Sequence, residues 1–222
     1  MRIEAFRPDG DAPRYFGVYP AIVTDITKDQ DNLGRIEVKF PWLGAEGVDV
    51  RALATLCTPY ADDNQGFEMI PAVDSQVVVA FEAGDLRRPY IIGACWNGKE
   101  KLPQNPETPN NKRLVKTRSG SILEFDDTSG AAKVTISMQS GHKVVLDDGA
   151  QEVKVSHSNG CTIKMNAAGQ VSINANSTVE VNAAAVNVHS GVATFDGLIQ
   201  CQTLITSSVV SSSYTPGAGN IW

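Results

Sequence analysis

The sequence predicts an all-β protein: an N-terminal OB-fold barrel followed by a C-terminal interwound triple-stranded β-helix, a trimeric prism. Three observations carry that prediction. Five β-branched or aromatic runs, bounded by Gly, Pro, Asp and Asn, fall within about 85 residues of the first half. Short strand-like segments then recur at nearly constant spacing through the second half. Charge also thins along the chain: residues 1–113 hold 13 Lys/Arg and 17 Asp/Glu, residues 114–222 hold 6 and 8, and beyond Met165 only Glu180 and Asp196 are charged.

The elements follow in order. Residues 1–14 form an N-terminal arm, and residues 15–98 carry the barrel runs "YPAIVTDIT", "GRIEVKFPW", "RALATLCTPYA", "SQVVVAFEAG" and "PYIIGACW". Five strands that close on themselves leave no exposed sheet edge, and a Greek-key barrel of the OB type is the economical closure. Residues 99–113 have several prolines and asparagines and no apolar periodicity, which reads as a linker. Residues 114–222 form the spike and its tip. Strands are expected at 121–125, 133–138, 142–147, 151–156, 161–165, 170–175, 178–183, 185–190 and 193–197, separated by turns rich in Gly, Asp and Asn.

The late segments are thin. Val171 and Ile173, Val179 and Val181, and Val186 and Val188 share a face by two-residue alternation, with almost no bulky side chain nearby. Two small apolar residues per segment cannot fill a β-helix made by one chain. Three chains wound about one axis bring three valines together, so the thin strands predict a homotrimer.

Composition excludes several functions. The net charge of −6, with Phe40, Trp42, Tyr60 and Phe81 scattered among acids, argues against nucleic-acid binding. Cys57, Cys95, Cys161 and Cys201 form no CxxC pair and are expected as small buried hydrophobes. The N-terminus is broken by charge and proline, so no signal peptide is expected, and no run of 18 apolar residues occurs.

The strands "LGRIEVKFPW" (33–42) and "GFEMIPAVDSQVVVAFEAGDLRRPYIIGACWNG" (66–98) carry a specific pattern through Pro71, Asp74, Val77, Val79, Phe81, Gly84, Asp85, Pro89, Gly93, Asn97 and Gly98. In these residues the chain resembles the contractile-tail central spike proteins, the phage baseplate assembly protein V and valine-glycine-repeat type VI family. The resemblance implies a homotrimeric spike whose OB-fold end docks to a baseplate hub protein. Its prism would be driven through the target outer membrane when the sheath contracts. A separate tip protein at the C-terminus is a further possible partner. The implied location is the virion tail baseplate, with the chain made in the host cytoplasm. Family members with a lysozyme domain carry it where this chain has only the linker. Family tips that hold iron use a His-x-His pair, and His142, His157 and His189 are not so spaced.

No catalytic, cofactor-binding or metal-binding residue is therefore expected, and no cofactor. Asp126–Asp127 and Asp147–Asp148 are paired carboxylates that precede glycine and read as turn residues, with glycan chemistry or cation binding as the alternatives. His189 follows inward Val188 and is expected in solvent. Arg87–Arg88 beside Asp85 reads as a rim patch and a candidate hub contact. The uncharged end with Ile221 and Trp222 reads as a core cap or an apolar plug. The alternative function is a trimeric β-helical tailspike with glycan-hydrolysing activity.

Overall fold

The first-half runs close into a barrel because each buries alternate residues. In the computed structural model, which describes residues 13–212, the strands are β1 (Val18–Asp25), β2 (Arg35–Lys39), β3 (Arg51–Leu56), the two-residue pair β4 (Ala61–Asp62) and β5 (Gln65–Gly66), β6 (Gln76–Phe81) and β7 (Pro89–Ala94). The barrel runs β1-β2-β3-β7-β6 and returns to β1. Its neighbours are antiparallel except β3 and β7, which pair in parallel through Thr55 with Tyr90 and Leu56 with Ile91. In β6 the alternate residues Val77, Val79 and Phe81 point inward and are buried. They meet Ala21 and Val23 of β1, Ile36 and Val38 of β2, Ala54 of β3 and Ile91 of β7. Each such valine or isoleucine contributes roughly 1.5–3 kcal/mol by leaving water.

Aromatic rings close one end of the barrel. Tyr19 stacks on Trp42 with centroids 4.7 Å apart, and Tyr15, Phe40 and Phe81 complete the cluster. The Trp42 indole N–H donates to the Pro20 carbonyl at 2.8 Å, so its one polar atom is satisfied. Three of the four aromatics that look scattered in sequence thus belong to one cluster, and Tyr60 is the exposed exception.

The family-like motif residues have local reasons. Gly84 has φ +78°, and a Cβ there would lie 3.1 Å from Arg14 Cβ and from the Tyr15 nitrogen, whose N–H donates to the Gly84 carbonyl. Only glycine fits both the backbone and the space. Asp74 has φ +69°, and aspartate tolerates that region better than most residues. Arg35 of the Gly-Arg pair donates twice to Asp29 Oδ1, from Nε at 2.9 Å and from Nη2 at 2.6 Å. Asp29 Oδ2 takes the Leu33 and Arg35 backbone N–H groups. This clamp holds the carboxyl of Asp29 down at about 2, the Arg35 side-chain bond being the main cause.

After the barrel come β8 (Lys112–Lys116), β9 (Ile122–Asp126), β10 (Lys133–Ser137), β11 (Lys143–Asp147), β12 (Glu152–Ser156), β13 (Thr162–Met165) and β14 (Val171–Asn174). They form one seven-stranded meander in sequence order. β8 starts two residues inside the stretch expected as linker. Its pattern KRLVK is mostly charged, and pairing with β9 makes it a strand rather than apolar content.

The chain divides into two units at Ile173 and Asn174. In the second unit the segments 178–183, 185–190 and 193–197, expected as strands, form none among the described residues. A strand needs a backbone partner, and no strand pairing reaches these segments among the described residues. The cysteines also depart from expectation: Cys57, Cys95 and Cys201 are exposed and Cys161 is half-buried, all as free thiols. Cys57 and Cys95 follow the last residues of β3 and β7, past the barrel wall, so alternation no longer turns them inward.

Candidate functional site

The seven-stranded sheet has one apolar face, and among the described residues nothing covers it. Register aligns Val115, Leu123, Ile136, Val144, Val155 and Ile163 in one row across β8 to β13. A second row on the same face holds Phe125, Val134, Leu146, Val153 and Met165. Because side chains alternate along a strand, these two rows face the same way. Yet Ile136 is 51% exposed, Leu146 49% and Phe125 44%. A face of this size left in water is the mark of an interaction surface. In the second unit Val179, Val181, Val186 and Val188 are exposed as well.

The opposite face is polar and more enclosed. Asp126 and Thr135 are buried there. Cross-strand neighbours in one row read Lys112, Asp126, Lys133, Asp147 and Glu152, so opposite charges mostly face each other. Glu152 also pairs with Lys164.

The turns stack in two columns. On one side lie turns 117–121, 138–142 and 157–161, each built the same way. The N–H of the first residue bonds the carbonyl of the fifth, and a positive-φ glycine fills the fourth place (Gly120, Gly141, Gly160). On the other side lie 127–132, 148–151 and 166–170. Stacking is tight there: a Cβ on Gly149 would sit 2.5 Å from the Gly130 carbonyl oxygen and 2.8 Å from Ala131 Cα.

The aspartate pairs meet on this second side. Together with Phe125, Val134 and Leu146 they line an open groove of about 530 Å³. Asp126 Oδ1 accepts from the Thr128 hydroxyl at 2.6 Å and the Thr128 N–H at 3.1 Å, and these bonds lower its pKa. Asp147 Oδ1 accepts the Ala150 N–H at 2.8 Å, and Asp127 pairs with Arg113 at 2.6 Å. A glycosidase needs one carboxyl kept protonated by a raised pKa. Asp126 is shifted the other way.

His142 and His157, 15 residues apart in sequence, come together on the first side with ring centroids 4.2 Å apart. Each Nδ1 accepts a backbone N–H, from Ser158 at 3.3 Å and Asn159 at 3.2 Å respectively. Sequence reasoning missed this pair, and the turn spacing was its only signal. His189 is exposed. Among the described residues no three His, Cys, Asp or Glu side chains are grouped to hold a metal ion. Arg87 is held by Asp85 at 3.0 Å and Arg88 by Glu82 at 3.2 Å, at the β6–β7 connection. Ile221 and Trp222 lie outside the described residues.

Comparison with known proteins places these features in one family. Residues 19–96 match the model of the type VI secretion system/phage-baseplate injector OB domain. Residues 112–194 match that of the phage baseplate V C-terminal trimerisation domain. The chain is 24% identical over 174 residues to the type VI secretion system spike protein VgrG5 of Pseudomonas aeruginosa, covering 72% of this chain and 22% of that protein. It is 24% identical over 140 residues to the spike protein VgrG3 of Vibrio cholerae, covering 60% of this chain and 14% of that protein. A match to a Vibrio cholerae protein named actin cross-linking toxin VgrG1 is 21% identical over 141 residues. The chain thus spans less than a quarter of the length of the first two of these relatives.

Proposed function

The chain belongs to the contractile-tail central spike family, and from that premise we propose that it is the homotrimeric, non-enzymatic spike of a contractile injection machine of the phage-tail kind. The observation that carries this is the uncovered apolar face formed by the two rows from Val115 to Ile163 and from Phe125 to Met165. Three copies of that face, packed about one axis, cover one another. The name of the matched C-terminal domain, a trimerisation domain, supports the same arrangement. The segments from Thr178 to Gly197, which form no strand among the described residues of one chain, would pair with the same segments of the other two.

Force transmission suits such a body. Pairing within and between copies leaves few free strand edges, and a dry apolar axis resists bending. The barrel end would dock to the baseplate hub, with the rim that holds Arg87 and Arg88 as its candidate contact, and the C-terminal end would meet the target outer membrane. A separate protein at the tip remains part of the proposal. Tailspike glycan hydrolysis is disfavoured by the lowered pKa of Asp126 and by the spent hydrogen bonds of Asp127 and Asp147. Antibody labelling of intact contractile particles tests the reading. Label at the baseplate end of the tail supports it, and label along the sheath, on fibres or nowhere on the particle contradicts it.

A further inference from the structure

The two turn-lined sides of the sheet carry opposite charge. The first side holds Lys116, Arg118 and Lys143, with His142 and His157, and no acid in its turns or at the strand ends that flank them. None of the three cations has an ion pair among the described residues. The second side holds Asp126, Asp127, Asp147, Asp148 and Glu152 against Lys112, Arg113, Lys133 and Lys164, of which Arg113 pairs with Asp127 and Lys164 with Glu152. Asp148 there has no side-chain partner among the described residues, and the acids rim the groove whose floor is Phe125, Val134 and Leu146. An apolar floor with a carboxylate rim fits a long cationic side chain, whose stem lies on the floor while its head meets the acids.

Symmetry says where such side chains come from. In a closed ring of three identical chains the two surfaces that meet are different patches of the chain, repeated at each interface. Sheets that face one axis and touch along their flanks therefore bring the first side of one copy to the second side of the next. We propose that the prism is assembled this way, the basic turn side of each copy docking along the acidic groove of its neighbour and so fixing the register of the three chains. The partner is a second copy of this chain, and the inference rests on the homotrimer reading above. Burial of the apolar face supplies most of the association, and the charged flanks choose the alignment. Mutual repulsion of like sides also disfavours a two-chain arrangement in which equivalent sides meet.

The test uses the full chain and charge reversal, with assembly read by sedimentation equilibrium at low salt. Arg118→Glu with Lys143→Glu sets acid against acid at every interface, and Asp127→Lys with Asp148→Lys sets base against base. Each pair should raise the concentration of half-dissociation by about tenfold or more. The four substitutions in one chain restore opposite charges at every interface and should return that concentration to within about threefold of wild type. Lys154→Glu, a reversal in mid-strand on the polar face, should leave it unchanged. Near-ultraviolet dichroism of the Trp42 cluster separates lost assembly from a lost fold. Two pairs without effect, or a fourfold variant worse than either pair, would overturn the flank pairing while leaving the trimer standing. A monomeric wild type would instead overturn the homotrimer reading.

Discussion

Val155 and Lys154 are adjacent on β12 and point to opposite faces, so aspartate at each gives a paired test of the apolar face. Val155 lies between Val144 and Ile163 in its row and is 43% exposed in the single chain. That leaves on the order of 65 Å² for the trimer to cover, worth roughly 1.6 kcal/mol per chain and roughly 5 per trimer at about 25 cal/mol per Å². Val155→Asp forfeits that gain and puts three carboxylates near a dry axis, at several kcal/mol each. The total is comparable with the roughly 5–15 kcal/mol that holds an ordinary domain together. Lys154→Asp adds an acid opposite Lys164 on the polar face, where the charge is welcome. Thermal unfolding and native mass spectrometry at about pH 7 and about pH 4 measure both. Val155→Asp should dissociate at the higher pH and reassemble in part at the lower, as a carboxyl beside the axis becomes protonated. Lys154→Asp should stay close to wild type. Equal effects, or the reverse order, would refute the assignment of the axial face.

Other expectations concern the barrel, the turns and the tip. Asp29 has its pKa lowered to about 2 by Arg35, so its stabilising effect is complete above the unfolded value of about 4 and fades as pH falls towards 2. Asp29→Asn should therefore lower the unfolding temperature of the barrel at neutral pH and make its acid-induced fall shallower. Gly149→Ala should destabilise the sheet by roughly 1–3 kcal/mol, because the new methyl meets backbone rather than a movable side chain. An unchanged denaturation midpoint would mean that the two turns are not stacked. Untagged protein should hold well under one iron or zinc per trimer by elemental analysis, and a stoichiometric ion that survives chelation would contradict the metal-free tip.

Much of the barrel was legible because its signals are local. In "QVVVAF" the alternation of Val77, Val79 and Phe81 is the burial pattern itself, and the flanking turn residues end the strand where the chain leaves the wall. The thin faces of Val171 and Ile173 were readable for the same reason. Strand β8 was not, since Lys112, Arg113 and Lys116 outnumber its apolar residues and only pairing with β9 defines it. Cross-strand register decides the remaining features. The meeting of His142 with His157, the row from Lys112 to Glu152 and the separation of charge by side all join residues from different turns or strands. No window of sequence contains them. The aspartates show the middle case: turn chemistry was readable at Asp126 and Asp147, but not the groove that unites the two pairs.

An axial apolar face requires three chains in the assembled spike. Native mass spectrometry of the untagged full chain at sub-micromolar concentration should give a species of three times the chain mass, with no folded monomer beside it. A folded, stable monomer at that dilution would contradict it, because the face from Val115 to Ile163 would then stand in water without a partner.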